Sequence, residues 1–113
     1  MSYSVQVVTT PSIPGYKITK VIGMVTGLSP RTRGIGGVIH AALQSLFGGE
    51  VTAFTSEIEK ARIEAVERAV EKARSKGANA IIGMDIETSD VGSEQFNVML
   101  ISATGTAVVV EPE

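Results

Sequence analysis

The chain has 113 residues, 43% of them hydrophobic and 4% aromatic, with no cysteine or tryptophan and a formal net charge of −2. That length suffices for one domain, residues 1–113, built around an aliphatic core. The composition excludes a disulfide framework, thiol catalysis and thiolate metal sites, and the weakly acidic balance gives no basic footprint for nucleic acid.

Met1 leads into SYSVQVV without the basic start and apolar run of a signal peptide. No apolar stretch reaches the length of a bilayer. A soluble, cytoplasmic protein without membrane contact is expected.

Val5–Thr9 (VQVVT) is β-branched and stopped by Pro11, which predicts a strand. Pro11 and Pro14 then block regular structure, and Pro14-Gly15 predicts a turn. Lys17–Thr26 (KITKVIGMVT) predicts a long strand with apolar residues on both faces, as in a central strand or one against a neighbouring subunit. Gly23 within it points to a bulge or a close backbone approach. Gly27–Gly37 (GLSPRTRGIGG) predicts a mobile loop. Its glycines beside Arg31 and Arg33 could cradle an anion through free amides and guanidinium groups. The alternative is a flexible solvated loop, because the spacing matches neither a nucleotide phosphate loop nor a dinucleotide fingerprint.

Val38–Phe47 (VIHAALQSLF) places Val38, Ile39, Ala42, Leu43, Leu46 and Phe47 at helical spacing, and Gly48 closes this short helix. His40 is the chain's one histidine. It reads either as an ordinary surface residue or as a metal ligand whose set carboxylates would complete. Glu50–Phe54 (EVTAF) leads into the next element, with Phe54 as a hydrophobic staple on its first turns.

Thr55–Gly77 (TSEIEKARIEAVERAVEKARSKG) predicts a long helix. Ser56 is the expected N-cap, with Glu59 three residues on to complete a capping box. Glu57 and Glu59 in the first turn, and Arg74 and Lys76 in the last, suit the helix dipole. Gly77 follows the helix end. Ala61, Ala65, Ala69 and Ala73 recur every fourth residue and Ile58 joins them, a small-sided stripe that can lie close against a sheet. A second flank carries Ile63, Val66 and Val70, so the apolar surface exceeds the single stripe of a surface helix. Such a helix either sits deep in a monomer core or packs on its own sheet and on another subunit; wide apolar surfaces favour the second. Arg62 lies between the flanks with Glu59 a turn before it. It is either a local ion pair whose stem covers apolar surface or a charge at a subunit seam. Arg62, Ile63, Val66 and Val70 are therefore the interface candidates.

Ala78–Asp90 (ANAIIGMDIETSD) alternates Ala80, Ile82, Met84 and Ile86 with Ile81, Gly83, Asp85 and Glu87, a half-buried strand with one partly acidic face. Val91–Glu94 turns, and Phe96–Ala103 (FNVMLISA) returns as an antiparallel partner. Gly105 is expected to bend or bulge the strand before Thr106–Val110 continues it. The element order predicts an α+β fold of two layers: an antiparallel sheet with one long and one short helix on one face.

Asp85 and Glu87 share one strand face, with Asp90 further along. Paired carboxylates can hold a hard cation or act as acid and base; the same alternation also makes a plain polar face. In a symmetric ring a residue supplied once per subunit can build a multi-ligand site on the axis. His40, Glu50, Asp85 and Glu87 are thus the candidates for a divalent metal ion. His40 has no nucleophile at a recognisable elbow, and no catalytic constellation is found.

Taken together, TTP at Thr9–Pro11, GMVTG at Gly23–Gly27, FGGE at Phe47–Glu50, KAR at Lys60–Arg62, GANAIIGMDI at Gly77–Ile86 and TGTAVVV at Thr104–Val110 resemble the YbjQ-like family in order and spacing. The resemblance covers nearly the whole chain, and the family carries a heavy-metal-binding label. It implies a small dodecin-like α/β subunit assembled as a homopentamer. The matching positions Thr10, Gly23, Gly27, Gly49, Arg62, Gly77, Gly83 and Gly105 are mostly glycines, which points to backbone geometry. The chain departs at Glu50 and Phe54, where relatives commonly carry arginine and tyrosine. The expected function is a ring-forming binding protein that takes a metal or small ligand at subunit interfaces. The alternative is an enzyme or carrier for an anionic small molecule held by Arg31, Arg33 and Arg62.

Overall fold

The computed structural model describes residues 5–33, 50–93 and 96–113. Its elements are β1 (Gln6–Val7), β2 (Tyr16–Arg33), α1 (Glu50–Ser75), β3 (Ala80–Ser93) and β4 (Phe96–Pro112). The strands form one sheet in the order β1-β3-β4-β2. β3 and β4 make the expected antiparallel hairpin, but β3 runs on through residues 91–93, where a turn was expected, because Val91, Gly92 and Ser93 pair with Val98, Asn97 and Phe96. β4 also pairs antiparallel with β2. β1 instead runs parallel to β3, Gln6 opposite Ala80 and Val7 opposite Ile81. The sheet is therefore mixed rather than wholly antiparallel; the chain through β2 and α1 supplies the long crossover that parallel pairing needs. The fold is α+β, with α1 packed on one face. The short helix expected over Val38–Phe47 lies outside the described residues.

β2 is an edge strand, not a central one, and it runs on through the expected loop, pairing with β4 from Gly27↔Ala103 to Arg33↔Asn97. Pro30 is tolerated there because an edge position leaves the missing donor facing away from the ladder. α1 also begins earlier than expected, at Glu50, so Ser56 lies within the helix and is not its cap, and Phe54 is helical. Once a helical turn exists, adding residues to it costs little, and an internal capping signal does not restart it. The C-terminal end matches expectation. Gly77 takes φ 88°, its amide donates to the Arg74 carbonyl at 3.0 Å, and the Ala78 amide reaches the Ala73 carbonyl at 3.0 Å. This is the glycine-terminated helix end, in which a left-handed residue satisfies the last carbonyls.

Ala61, Ala65, Ala69 and Ala73 are each fully buried and pack with Val25, Ile81, Met84, Ile101, Ala103 and Ala107. The alanine stripe seats α1 on the sheet as expected. The other face carries a smaller cluster of Ile13, Ala80, Val108 and Val110. Ile13 is held there by a tight turn in which the Tyr16 amide donates to the Ile13 carbonyl at 3.1 Å. Pro14 and Gly15, the latter at φ 84°, occupy the turn's central positions.

Three irregularities re-phase the strands. The register slips in β2 between Ile18 and Lys20 and between Val21 and Gly23, and in β3 between Ile82 and Asp85. Gly23 is thus at a bulge, as one of its two expected readings had it, and a β-carbon there would touch nothing within 4 Å. The β2 bulges place Ile18, Val21 and Met24 opposite Val110, Val108 and Thr106, all on the helix-free face. In β3 the bulge splits the expected apolar set. Ala80 and Ile82 join the cluster on the helix-free face, whereas Met84 and Ile86 pack beneath α1. Gly105 pairs with Val25 in regular register on the β2 side, and on the β3 side it lies opposite the Ile82/Asp85 bulge, so the extra residue belongs to β3 and not to Gly105's own strand. A β-carbon there would lie 2.5 Å from Ile81 Cγ2 and 3.1 Å from the Ile82 carbonyl, so glycine supplies room beside the β3 bulge.

Candidate functional site

A polar cluster lies where β2 meets α1. Val25, Gly27 and Ser29 are buried beneath the helix, and Arg31 follows them on the same side of the strand. Glu64 of α1 accepts from Arg31 Nη2 at 3.1 Å and from Ser29 Oγ at 3.2 Å. Arg68, one helical turn on, places Nη2 2.7 Å from the same carboxylate. Arg31 Nε lies 3.6 Å from Glu57 Oε2, yet it is a buried atom without a hydrogen bond. The Arg31 hydrogen bond is the chief reason that the Glu64 carboxyl titrates below its ordinary range; desolvation opposes it, and Ser29 and Arg68 add to it.

Two cations of α1, Lys72 and the same Arg68, reach over the sheet edge. Lys72 Nζ donates to the Thr26 carbonyl at 2.7 Å, and Arg68 Nη1 donates to the Leu28 carbonyl. Sequence reasoning passed over Glu64, Arg68 and Lys72, although their spacing of four announces a polar stripe on one helix flank. Arg31, expected to hold an anion, directs its guanidinium at Glu64 and Glu57. Arg33 ends β2, and its side chain lies outside what the structure describes. Arg62 belongs to the other flank of α1, so Arg31 and Arg62 do not converge.

That other flank forms an open groove lined by Glu59, Arg62, Ile63, Val66 and Ile86. Ile63 is 52% exposed, whereas Val70 is buried in the chain's own core at 6%. Of the four interface candidates, Arg62, Ile63 and Val66 thus sit together at a surface and Val70 beneath it.

A second open cleft lies on the helix-free face, lined by Met24, Gly83, Asp85, Glu87, Thr104 and Thr106. Its frame is the register: Thr26, Thr104 and Asp85 stand in one row across β2, β4 and β3, and Leu28, Ser102 and Glu87 in the next but one. Thr26 Oγ1 and Thr104 Oγ1 are 3.2 Å apart. Asp85 and Glu87 share this face as expected, and Asp90 is exposed further along β3. His40 lies outside the described residues, and Glu50 opens α1 without a described side chain.

A family model described as "Putative heavy-metal-binding", the YbjQ family, matches residues 5–111. The chain belongs to the YbjQ family. Among its relatives, a UPF0145 protein of Methanoregula boonei is 47% identical over 113 residues, covering 100% of this chain and 92% of the relative. Another from Methanocella arvoryzae is 46% identical over 107 residues, covering 95% and 87%. One from Streptomyces griseus is 46% identical over 109 residues, covering 94% and 85%. A solved structure from Pediococcus pentosaceus, described as a protein of unknown function of the DUF74 family, superposes with a TM-score of 0.63 at 17% identity, covering 95% of this chain and 98% of that one. That likeness concerns the fold.

The family description raises the question of a heavy metal. Soft metals select thiolate and imidazole ligands, whereas carboxylates and hydroxyls suit hard cations. Among the described residues no three His, Cys, Asp or Glu side chains converge. The cleft offers two carboxylates, threonine hydroxyls and the Met24 thioether. These donors on one YbjQ-family chain do not fit a heavy-metal centre.

Proposed function

We propose that this YbjQ-family chain is a non-catalytic binding protein that works as a homo-oligomer, a homopentamer as the resemblance implies, and takes a small ligand or ion at the seams between subunits. The observation that carries this reading is a pair of uncovered apolar surfaces on opposite flanks. On the edge strand β2, Val21 and Met24 are 64% and 71% exposed, and Ile18 and Leu28 accompany them on the same face. Across the sheet lies the groove of Ile63, Val66 and Ile86. Contiguous apolar surface at an edge strand marks a contact, and burying it stabilises by roughly 25 cal/mol per Å². Arg62 at the groove's rim can cover apolar area with its stem and still offer its guanidinium to a partner.

The ligand half of the reading centres on the cleft of Asp85 and Glu87. It is open on one chain, and a neighbour resting on Met24 would wall it. Two carboxylates beside hydroxyls are oxygen donors of the kind that hold a divalent cation. The alternative reading, an enzyme or carrier for an anion, gains nothing from an Arg31 already paired with Glu64 and Glu57.

Light scattering on the purified protein tests the assembly. A mass several times that of one chain is expected, and a stable monomer at micromolar concentration would sink the proposal. Calorimetry with zinc, nickel, copper and calcium tests the ion: heat that disappears in Asp85→Asn/Glu87→Gln while that variant's mass in light scattering matches the parent's supports it, and equal heats in both proteins remove it.

A further inference from the structure

The two sides of the sheet carry unlike charge. β2 holds Lys17, Lys20, Arg31 and Arg33 and no acid; β3 holds Asp85, Glu87 and Asp90 and no base. The two strands flank β4 on opposite sides. The contrast is sharpest at matching heights. The row Thr26–Thr104–Asp85 and the row Leu28–Ser102–Glu87 each cross the whole three-stranded part of the sheet. At their β2 ends, Lys72 and Arg68 lie over the edge on the Thr26 and Leu28 carbonyls. At their β3 ends stand the Asp85 and Glu87 carboxylates, both side chains exposed. The acids near the β2 edge, Glu57 and Glu64, already pair with Arg31, Lys60 and Arg68.

Apolar surface accompanies each charged end. Met24 and Leu28 lie beside the cationic one, and the Ile63, Val66 and Ile86 groove borders β3. Among the described residues no strand pairs with the β3 edge beyond Met84. β1 pairs only with Ala80 and Ile81, and the chain after it ends its contact with bonds from Gly83 and Met84 to the Thr10 and Val8 carbonyls.

We propose that copies of this chain join head to tail, the β3 edge of one against the β2 edge of the next, so that Asp85 and Glu87 meet the Lys72 and Arg68 of the neighbour. The inference rests on the oligomeric half of the reading above and adds which surfaces join. It competes with the cation half, because carboxylates paired with a neighbour's ammonium and guanidinium groups are not left to hold a divalent ion. A two-fold contact through either edge would set like charges against each other, which is repulsive, whereas unlike edges are complementary. A contact between two different patches is heterologous, and its repetition closes into a ring or continues as a filament. Lys72 and Arg68 occupy the Thr26 and Leu28 carbonyls, so over these rows the seam is made by side chains and not by strand addition.

The test uses two charge-reversed proteins. Over these rows Arg68→Glu/Lys72→Glu carries acids at both ends, and Asp85→Lys/Glu87→Lys carries bases at both. Sedimentation velocity on each alone should show the dissociation constant raised at least about tenfold over the parent, the scale of losing a close interfacial charge pair. An equimolar mixture should regain assembled species, because each protein then offers the edge that the other lacks. Arg68 also pairs with Glu64, so circular dichroism should check the fold of its variant. The shape-conserving Asp85→Asn/Glu87→Gln should weaken association whether or not the reversed proteins fold. If the parent assembles but a folded reversed variant sediments like it, or the mixture stays apart, or Asp85→Asn/Glu87→Gln associates like the parent, the head-to-tail seam is wrong. If the parent is itself a monomer, the oligomeric reading fails first.

Discussion

A β-carbon on Gly27 would lie 1.9 Å from the carbonyl oxygen of Ala65. Strand β2 and helix α1 therefore meet backbone to backbone, with no side chain between them. The same β-carbon would lie 2.5 Å from the Ala69 amide nitrogen. The alanine stripe makes this approach possible from the helix side and Gly27 from the strand side.

Gly27→Ala should accordingly destabilise the chain strongly. Both clashing atoms are backbone, so α1 must shift as a unit. Overpacking of this kind costs about 3 kcal/mol. Urea denaturation should show the midpoint falling at unchanged slope; a loss below about 1 kcal/mol would contradict the close approach.

Gly77→Ala should cost less, about 1 kcal/mol. Its strain is that of one left-handed residue, with open space around the new methyl. Thermal unfolding should show a drop of roughly 4–8 °C, the scale for a domain of this size. A larger fall than that of Gly27→Ala would reverse the ranking.

Glu64 predicts a pH dependence. Its folded carboxyl titrates below the ordinary 4.5, chiefly because of Arg31. The unfolded chain then binds a proton first as pH falls, so the stabilisation is complete above about 4.5 and disappears as pH drops through the folded value. Glu64→Gln should lower the melting temperature at pH 7 and narrow the gap to the parent in acid. A gap that widens as pH falls would show that the carboxylate is not held by these cations.

Val21→Ser/Met24→Ser should separate assembly from folding. Both side chains are exposed on one chain, so the stability of the isolated subunit should change by no more than about 0.5 kcal/mol. Oligomer mass in light scattering should fall if the β2 face is a seam. An unchanged mass would move the contact elsewhere.

What could be read from the sequence was local or strictly periodic. The alanine stripe, the Gly77 helix end, the Pro14-Gly15 turn and the β3–β4 pairing each depend on a few neighbouring residues, and each is as expected, although β3 runs on through Val91, Gly92 and Ser93, where the hairpin's turn was expected. The extent of β2 could not be read, because pairing with β4 overrides the glycines and Pro30 of Gly27–Arg33. The start of α1 was hidden by a capping pattern at Ser56 that the helix runs straight through. At the site, Asp85 and Glu87 were placed on one face by simple alternation. Met24 could not be added to them, because it stands on β2, and the register that brings it beside Asp85 runs through β4. Arg31 looked free because its partners Glu57 and Glu64 sit on another element.

Those bulges give β2 slack. The strand spends 18 residues from Tyr16 to Arg33 where β4 spends those from Asn97 to Pro112. Removing one residue at Thr19 or at Ile22 takes up a spare and leaves every later side chain on its own face. Removing one at Val25 has no spare to draw on and turns Gly27 and Ser29 away from α1. The first half of β2 is therefore the forgiving end of the edge and the second half the unforgiving one, and a scan of single-residue deletions along the strand should show survival falling sharply after Gly23.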